Sequence, residues 1–226
     1  MPTWDWAIYI LMKIQARYNL SHVISGNRTL EQTTYVGPGG VEIICGGSGI
    51  ETLANLSPFQ RQRLLNEMEC LQERSDLIVI DTGAGIHSTV VGFCLAADHT
   101  LVVTTPEPTA ITDAYAMIKV LASKQYAGRI SLLVNMAQSL AEGKKVYRQI
   151  ADVANRFLNV AVYEAGVLCT DENLIQAVRR REPVVLAFPR ADISRAFAAI
   201  SNRLTKGTHI RTRQDGFFRK VVNWFF

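Results

Sequence analysis

The chain predicts an α/β protein built on a mostly parallel sheet with helices on both faces. Two observations carry that expectation. From about Val41 onward, short apolar and β-branched runs alternate with segments of helical periodicity. Strands that are apolar on both faces, each separated by a helix, belong in a parallel sheet with right-handed crossovers. The second observation is where the chemistry-bearing residues fall. Asp81, Thr104–Pro106, Asn135 and the loop before Asp171 all follow apolar runs, and open α/β sheets hold ligands beyond the carboxyl ends of their strands.

The elements follow in order. Val41–Cys45 reads as a strand. Ser57-Pro58 opens a helix, with Ser57 as N-cap and Pro58 at the first helical position. Phe59, Leu64, Leu65, Met68 and Leu71 give that helix its apolar side. Strand 77–80 and a helix through 90–97 come next, then strand 100–104, helix 110–123, strand 130–135 and helix 140–157. Strand 160–163, helix 172–181, strand 184–188 and helix 192–204 complete the core. Residues 1–204 are expected to form one domain, incomplete at its amino end. A polar linker over 205–214 and a separate tail over 215–226 follow. No internal repeat is present.

Composition narrows the classes. Apolar residues make up 48% and charged residues 19% of 226 residues, the balance of a globular chain with a sizeable core. The net charge of +4 is mild and the cations form no long run, so direct nucleic-acid binding is not expected. Four dispersed cysteines without a C-x-x-C pair argue against structural zinc and for reduced buried thiols. No segment reaches the ~20 apolar residues of a membrane span. The first twelve residues lack the basic start and small-residue cleavage site of a leader. An intracellular protein is expected.

The most informative motif is Leu77-Ile78-Val79-Ile80 running into Asp81-Thr82-Gly83-Ala84-Gly85. A carboxylate at the end of a buried strand can hold Mg²⁺ through water, and Gly83 and Gly85 let the following loop approach a γ-phosphate. This is the metal-side half of a P-loop nucleotide site. The other half, G-x-x-x-x-G-K-[ST], supplies amides and a lysine to the phosphates, and that string does not occur in the sequence.

The tail is a second signal. On a helix, Phe218, Val221, Val222 and Phe225 share one face, flanked by Phe217, Trp224 and Phe226, while Arg219 and Lys220 face away. Rings on one side and cations on the other suit an interfacial membrane anchor. A docked terminal helix or an oligomer contact is the alternative.

Residues 18–204 resemble the MinD/ParA-type P-loop ATPases, and among them the flagellar-number regulators of the FlhG type. The strings that carry the resemblance are Tyr18-Asn19-Leu20-Ser21-His22-Val23, Gly46-Gly47-Ser48-Gly49 with Leu53–Ser57, Ile80–Ile86, and Val103–Tyr115. The resemblance implies an ATPase fold and assigns roles by position. Asp81 matches the Walker B acid that serves Mg²⁺, and Gly85 matches the switch glycine. Asn135 matches the asparagine that reads the adenine edge, and Asp171 lies in the second adenine-side loop. Cys169 stands where relatives have a proline. The bland readings are a loop cap for Asn135 and a helix N-cap for Asp171. Gly46–Gly49 matches a structural turn of the family rather than a phosphate loop.

Family members begin with a strand, the P-loop, a helix and a second strand ending in a motif of the type D-A-D-L-G-L-[AG]-N. Met1–Ala7 matches none of this. Because Met and Trp have single codons, Met1–Ile8 can be re-read from its third nucleotide, and that frame permits A-D-L-G-L-G-N. The expectation is a start placed out of frame inside a longer gene, with a natural short paralogue as the alternative.

The resemblance further implies ATP and Mg as cofactors and an ATP-state homodimer attached peripherally to the cytoplasmic membrane. It also implies a flagellar SRP-type GTPase and basal-body proteins as partners. For the polypeptide as written, deficient ATP binding is expected, leaving a membrane- or partner-binding adaptor. A fragment that does not fold alone is the weaker possibility.

Overall fold

A computed structural model describes residues 12–46 and 57–206 together with Gly216, Phe217, Lys220 and Val221, with only the backbone described at residue 61. The described residues fall into two compact units, within Met1–Gly83 plus Arg213–Phe226 and within Ala84–Thr212.

The first unit holds helix α1 (Leu20–Ile24), strands β1 (Thr34–Val36) and β2 (Glu42–Ile44), and helix α2 (Pro58–Arg74). The expected strand at Val41–Cys45 is present as β2, but it pairs antiparallel with β1 in a small hairpin. Short polar-flanked β1 gave no periodic signal of its own. Asn19 caps α1 through its side chain and His22 answers it in a capping box. Tyr18 fastens this corner. Its amide donates to the Tyr35 hydroxyl at 2.7 Å, and Arg28 donates to its phenol oxygen at 3.0 Å. That bond from Arg28 is the main cause holding the Tyr18 phenol below its usual pKa.

Helix α2 starts as the sequence requires. Gln60 donates its amide to Ser57 Oγ at 3.3 Å, and Ser57 donates back to Gln60 Oε1 at 3.0 Å. Leu64, Met68 and Leu71 are buried as expected, whereas Phe59 is 78% exposed. Phe59 sits in the first turn, below the stripe that Leu64, Met68 and Leu71 make at i, i+4 and i+7.

The expected strand at 77–80 is not a strand. These residues have no ladder partner among those described, and Leu77 and Val79 are 58% and 81% exposed. The apolar run specifies an appetite for a sheet, but a strand exists only where a neighbour supplies the other half of each hydrogen bond.

The second unit is the α/β core. Strands β3 (His99–Thr104), β4 (Arg129–Ala137) and β5 (Val162–Cys169) form a parallel sheet in that order. Helices α3 (Ser88–Ala96), α4 (Pro108–Ser123), α5 (Leu140–Leu158), α6 (Glu172–Arg180), α7 (Val184–Ala187) and α8 (Asp192–Thr205) surround it. Strand alternation sorts the core into two layers. Leu132 and Val134 pack with α4 and α5 through Ile118, Leu121, Val146 and Ile150. Leu133, between them in sequence, packs with Ala165, Ala177, Val184 and Ile193 on the α6–α8 face. Helices therefore cover both faces, and β4 is buried from Ile130 through Val134.

Residues 184–188 also depart from expectation, forming the helical turn α7 instead of a strand. Pro183 presets its own φ, and its carbonyl accepts from Leu186 at 2.9 Å and Ala187 at 3.0 Å. Ser194 Oγ then donates to the Phe188 carbonyl at 2.8 Å. A five-residue apolar run cannot by itself distinguish a buried turn of helix from a strand.

Candidate functional site

The loop that follows residue 80 is open to solvent throughout, with Asp81, Thr82, Gly83, Ala84, Gly85, Ile86 and His87 all exposed. The Asp81 carboxylate makes no hydrogen bond or ion pair among the described residues. Gly85 sits at φ +99°, where a side chain is strained. Gly83 does not require glycine in this way: a methyl group there would meet nothing within 4 Å.

Asn135 and Asp171 lie together on the carboxyl edge of the sheet. Register places Thr104 beside Val134 and Val134 beside Val167, so the turns after β3, β4 and β5 leave at one level. Asn135 Oδ1 accepts from the Met136 amide at 2.9 Å, and Met136 takes a left-handed φ of +57°. Its amide nitrogen donates to no described residue, which leaves donor capacity free. Asp171 Oδ1 accepts from the Asn173 amide at 2.7 Å and caps α6. Both bland readings therefore describe real local bonds, and each uses one side-chain oxygen. A carboxylate oxygen on Asp171 and the Asn135 amide remain to recognise a ligand with both donors and acceptors.

Thr105, within the Thr104–Pro106 segment that the sequence places at a strand end, lies on the same edge. Its Oγ1 is buried without a partner among the described residues, and an orphaned buried hydroxyl is costly. A second Thr beside Thr104 carried no signal that one hydroxyl would turn inward.

Of the tail residues, Phe218, Arg219, Val222, Trp224, Phe225 and Phe226 lie outside the described residues. Val221 is 5% exposed and Phe217 half-buried, whereas Lys220 is exposed. Those three divide as an amphipathic helix requires. Gly216 lies beside α2, where an added methyl group would come within 3.1 Å of Gln72 Oε1. No helix among the described residues is long and apolar enough to cross a membrane.

The fold is that of the MinD cell-division ATPases. The chain superposes on Pyrococcus horikoshii MinD complexed with Mg-ADP with a TM-score of 0.67, 18% identity, and coverage of 91% of this chain and 81% of that one. Aquifex aeolicus MinD gives a TM-score of 0.66 at 20% identity, covering 91% and 82%. Sequence similarity is stronger among curated proteins. The antiactivator FleN of Pseudomonas aeruginosa is 38% identical over 195 residues, covering 86% of this chain and 70% of FleN. The flagellum site-determining protein YlxH of Helicobacter pylori is 31% identical over 174 residues, covering 76% of this chain and 58% of YlxH. No family model matches the chain. The chain belongs to the MinD/ParA family of P-loop ATPases, on its FleN/FlhG branch.

Proposed function

We propose that the chain is a MinD/FlhG-like, ATP-dependent regulator of flagellar number and placement. The observation that supports this most is its 38% identity to FleN across 86% of its length, far above the identity to MinD structures that share only the fold. In this reading Asp81 serves Mg²⁺ through water, Gly83 and Gly85 form the switch loop, and Asn135 and Asp171 read the adenine. The free Asp81 carboxylate and the unengaged Asn135 amide fit those tasks. Bound Mg-ATP would supply the charge that orders the switch loop. The protein then alternates between a cytosolic monomer and an ATP-bridged dimer, whose two tails (Phe217 to Phe226) hold the inner face of the cytoplasmic membrane by avidity. Its partners would be a flagellar SRP-type GTPase and basal-body proteins.

One observation supports a second reading for this 226-residue polypeptide. It contains no G-x-x-x-x-G-K-[ST] string. Phosphoryl transfer depends on amides and cations arranged around the phosphates. Without them these 226 residues act as an adaptor for membrane or partner and do not turn over ATP. Isothermal titration with Mg-ATP separates the two readings. On the adaptor reading the expected result is no saturable binding by the 226-residue chain. Micromolar affinity would overturn the adaptor reading. Expression in Pseudomonas aeruginosa lacking FleN tests the flagellar role. A change in flagellum number supports it, and an unchanged number in cells that accumulate the folded chain overturns it.

A further inference from the structure

At the amino-terminal edge of the three-stranded sheet, opposite the edge that carries Asn135 and Asp171, lies a cavity of about 480 Å³. Small apolar residues (Ala122, Ala127, Ile130, Val160 and Ala161) form one part of its open lining, and the polar groups of Tyr126, Arg129 and Tyr163 the other. The space exists because the chain spends small residues on the turns entering β4 and β5. Gly128 belongs to the same design: a methyl group there would stand 2.2 Å from the Tyr126 hydroxyl, so only glycine lets that ring fold back over the loop.

Arg129 lines this cavity and has its guanidinium carbon 4.3 Å from the Tyr163 ring centroid. Stacking on the ring holds the guanidinium plane while leaving its N–H edges unengaged. Its side chain makes no hydrogen bond or ion pair among the described residues. Asp98 accepts the Arg129 amide through its backbone carbonyl and acts electrostatically on Tyr126, and makes no ion pair with the guanidinium among the described residues. Besides Tyr126 and Tyr163, a further titratable neighbour is His99, which bonds Ser131 Oγ at 2.8 Å. Burial, and then the Arg129 charge, keep its pKa below the usual histidine value, so it stays neutral near pH 7. The result is an exposed planar cation, stacked near Tyr163 and bordering small apolar residues, on the wall of an open pocket within the size range of small-molecule sites.

We propose that this cavity binds a small organic anion, with an apolar body among the alanines and a carboxylate or phosphate head on the Arg129 guanidinium. The pairing uses the bidentate geometry for which guanidinium and such anions are matched. It lies at the opposite edge of the sheet from Asn135 and Asp171, so it does not depend on the nucleotide reading.

The test is an amide chemical-shift titration of the full ¹⁵N-labelled chain with hexanoate, hexyl phosphate and, as the neutral comparison, hexanol. Saturable shifts confined to residues 126–130 and 160–163 are expected with one or both anions. Binding should be roughly tenfold weaker for hexanol and for Arg129→Gln, as loss of a charge-assisted bidentate pair implies. Arg129→Lys, which retains charge without the fork, should fall between, and Ala161→Leu should fill the space and remove binding. Whichever anion binds more tightly identifies the head group, and either supports the site. Equal binding of hexanol, unchanged affinity in a folded Arg129→Gln chain, or no saturable shift with either anion would overturn the proposal. Arg129 is exposed and its side chain makes no hydrogen bond or ion pair among the described residues, so its loss leaves the fold available for the measurement.

Discussion

Single side chains in this protein often serve two demands at once. Asp171 is the clearest instance. Its place before Glu172 announces a helix cap, and one of its oxygens does bond the Asn173 amide. The cap is legible because it depends on local spacing, while any ligand role depends on which strand ends the fold brings level. Asn135 behaves alike, since its bond to Met136 is local and its place beside the β5 turn is not. Tyr126 yields a measurable consequence. Its hydroxyl donates to the Ala97 carbonyl at 3.0 Å and accepts from Thr100 at 3.1 Å, and burial pushes its pKa up to about 12. The unfolded phenol ionises near pH 10, so between about pH 10 and 12 the unfolded state loses its proton first. Stability should therefore fall as pH rises through that window. Urea midpoints measured across it should show the decline in the native chain and a weaker decline in Tyr126→Phe.

Elements were legible to the extent that their pattern was periodic and their partners were near in sequence. Helices α2, α4, α5, α6 and α8 begin and end within a few residues of expectation, because caps such as Ser57, Ser139 and Asp171 are written into the chain. The misassigned runs, 77–80 and 184–188, are both short and apolar, and there the outcome is decided by a neighbour or a proline. Packing between elements is less visible. Gly143 in α5 looks like a weak point in a helix, where alanine would ordinarily gain about 1 kcal/mol. Yet a methyl group at Gly143 would lie 2.3 Å from Val167 Cγ1 of β5. Helix and sheet approach so closely there that the clash outweighs propensity. Gly143→Ala should destabilise the chain by about 1–3 kcal/mol, read from urea denaturation. A stabilised variant would show that α5 does not rest on β5 at this point.

At the scale of the whole molecule, the sequence motifs reached the family before any coordinates were needed. What they could not reach was the state of the tail, because burial of Val221 depends on what lies against it. If the tail is a membrane anchor, the native chain should float with anionic phospholipid vesicles and Trp224→Glu should not, since a charge on the apolar side of an interfacial helix opposes insertion. Equal flotation of the two would assign the tail to protein packing instead. Membership follows from long strings such as Val103–Tyr115, whereas turnover depends on phosphate-binding groups that no string in the sequence supplies.

Strand β3 carries a consequence for how the protein must be handled. Among the described residues it pairs only with β4, so along its other edge no described strand takes up the backbone N–H and C=O groups. An edge of this kind offers a template to any extended chain, including another copy of itself. Growth along it begins with an encounter of two molecules, so losses scale with the square of concentration while the individual fold stays unchanged. Dilution, or a strand supplied in trans, is then a better preservative than cooling.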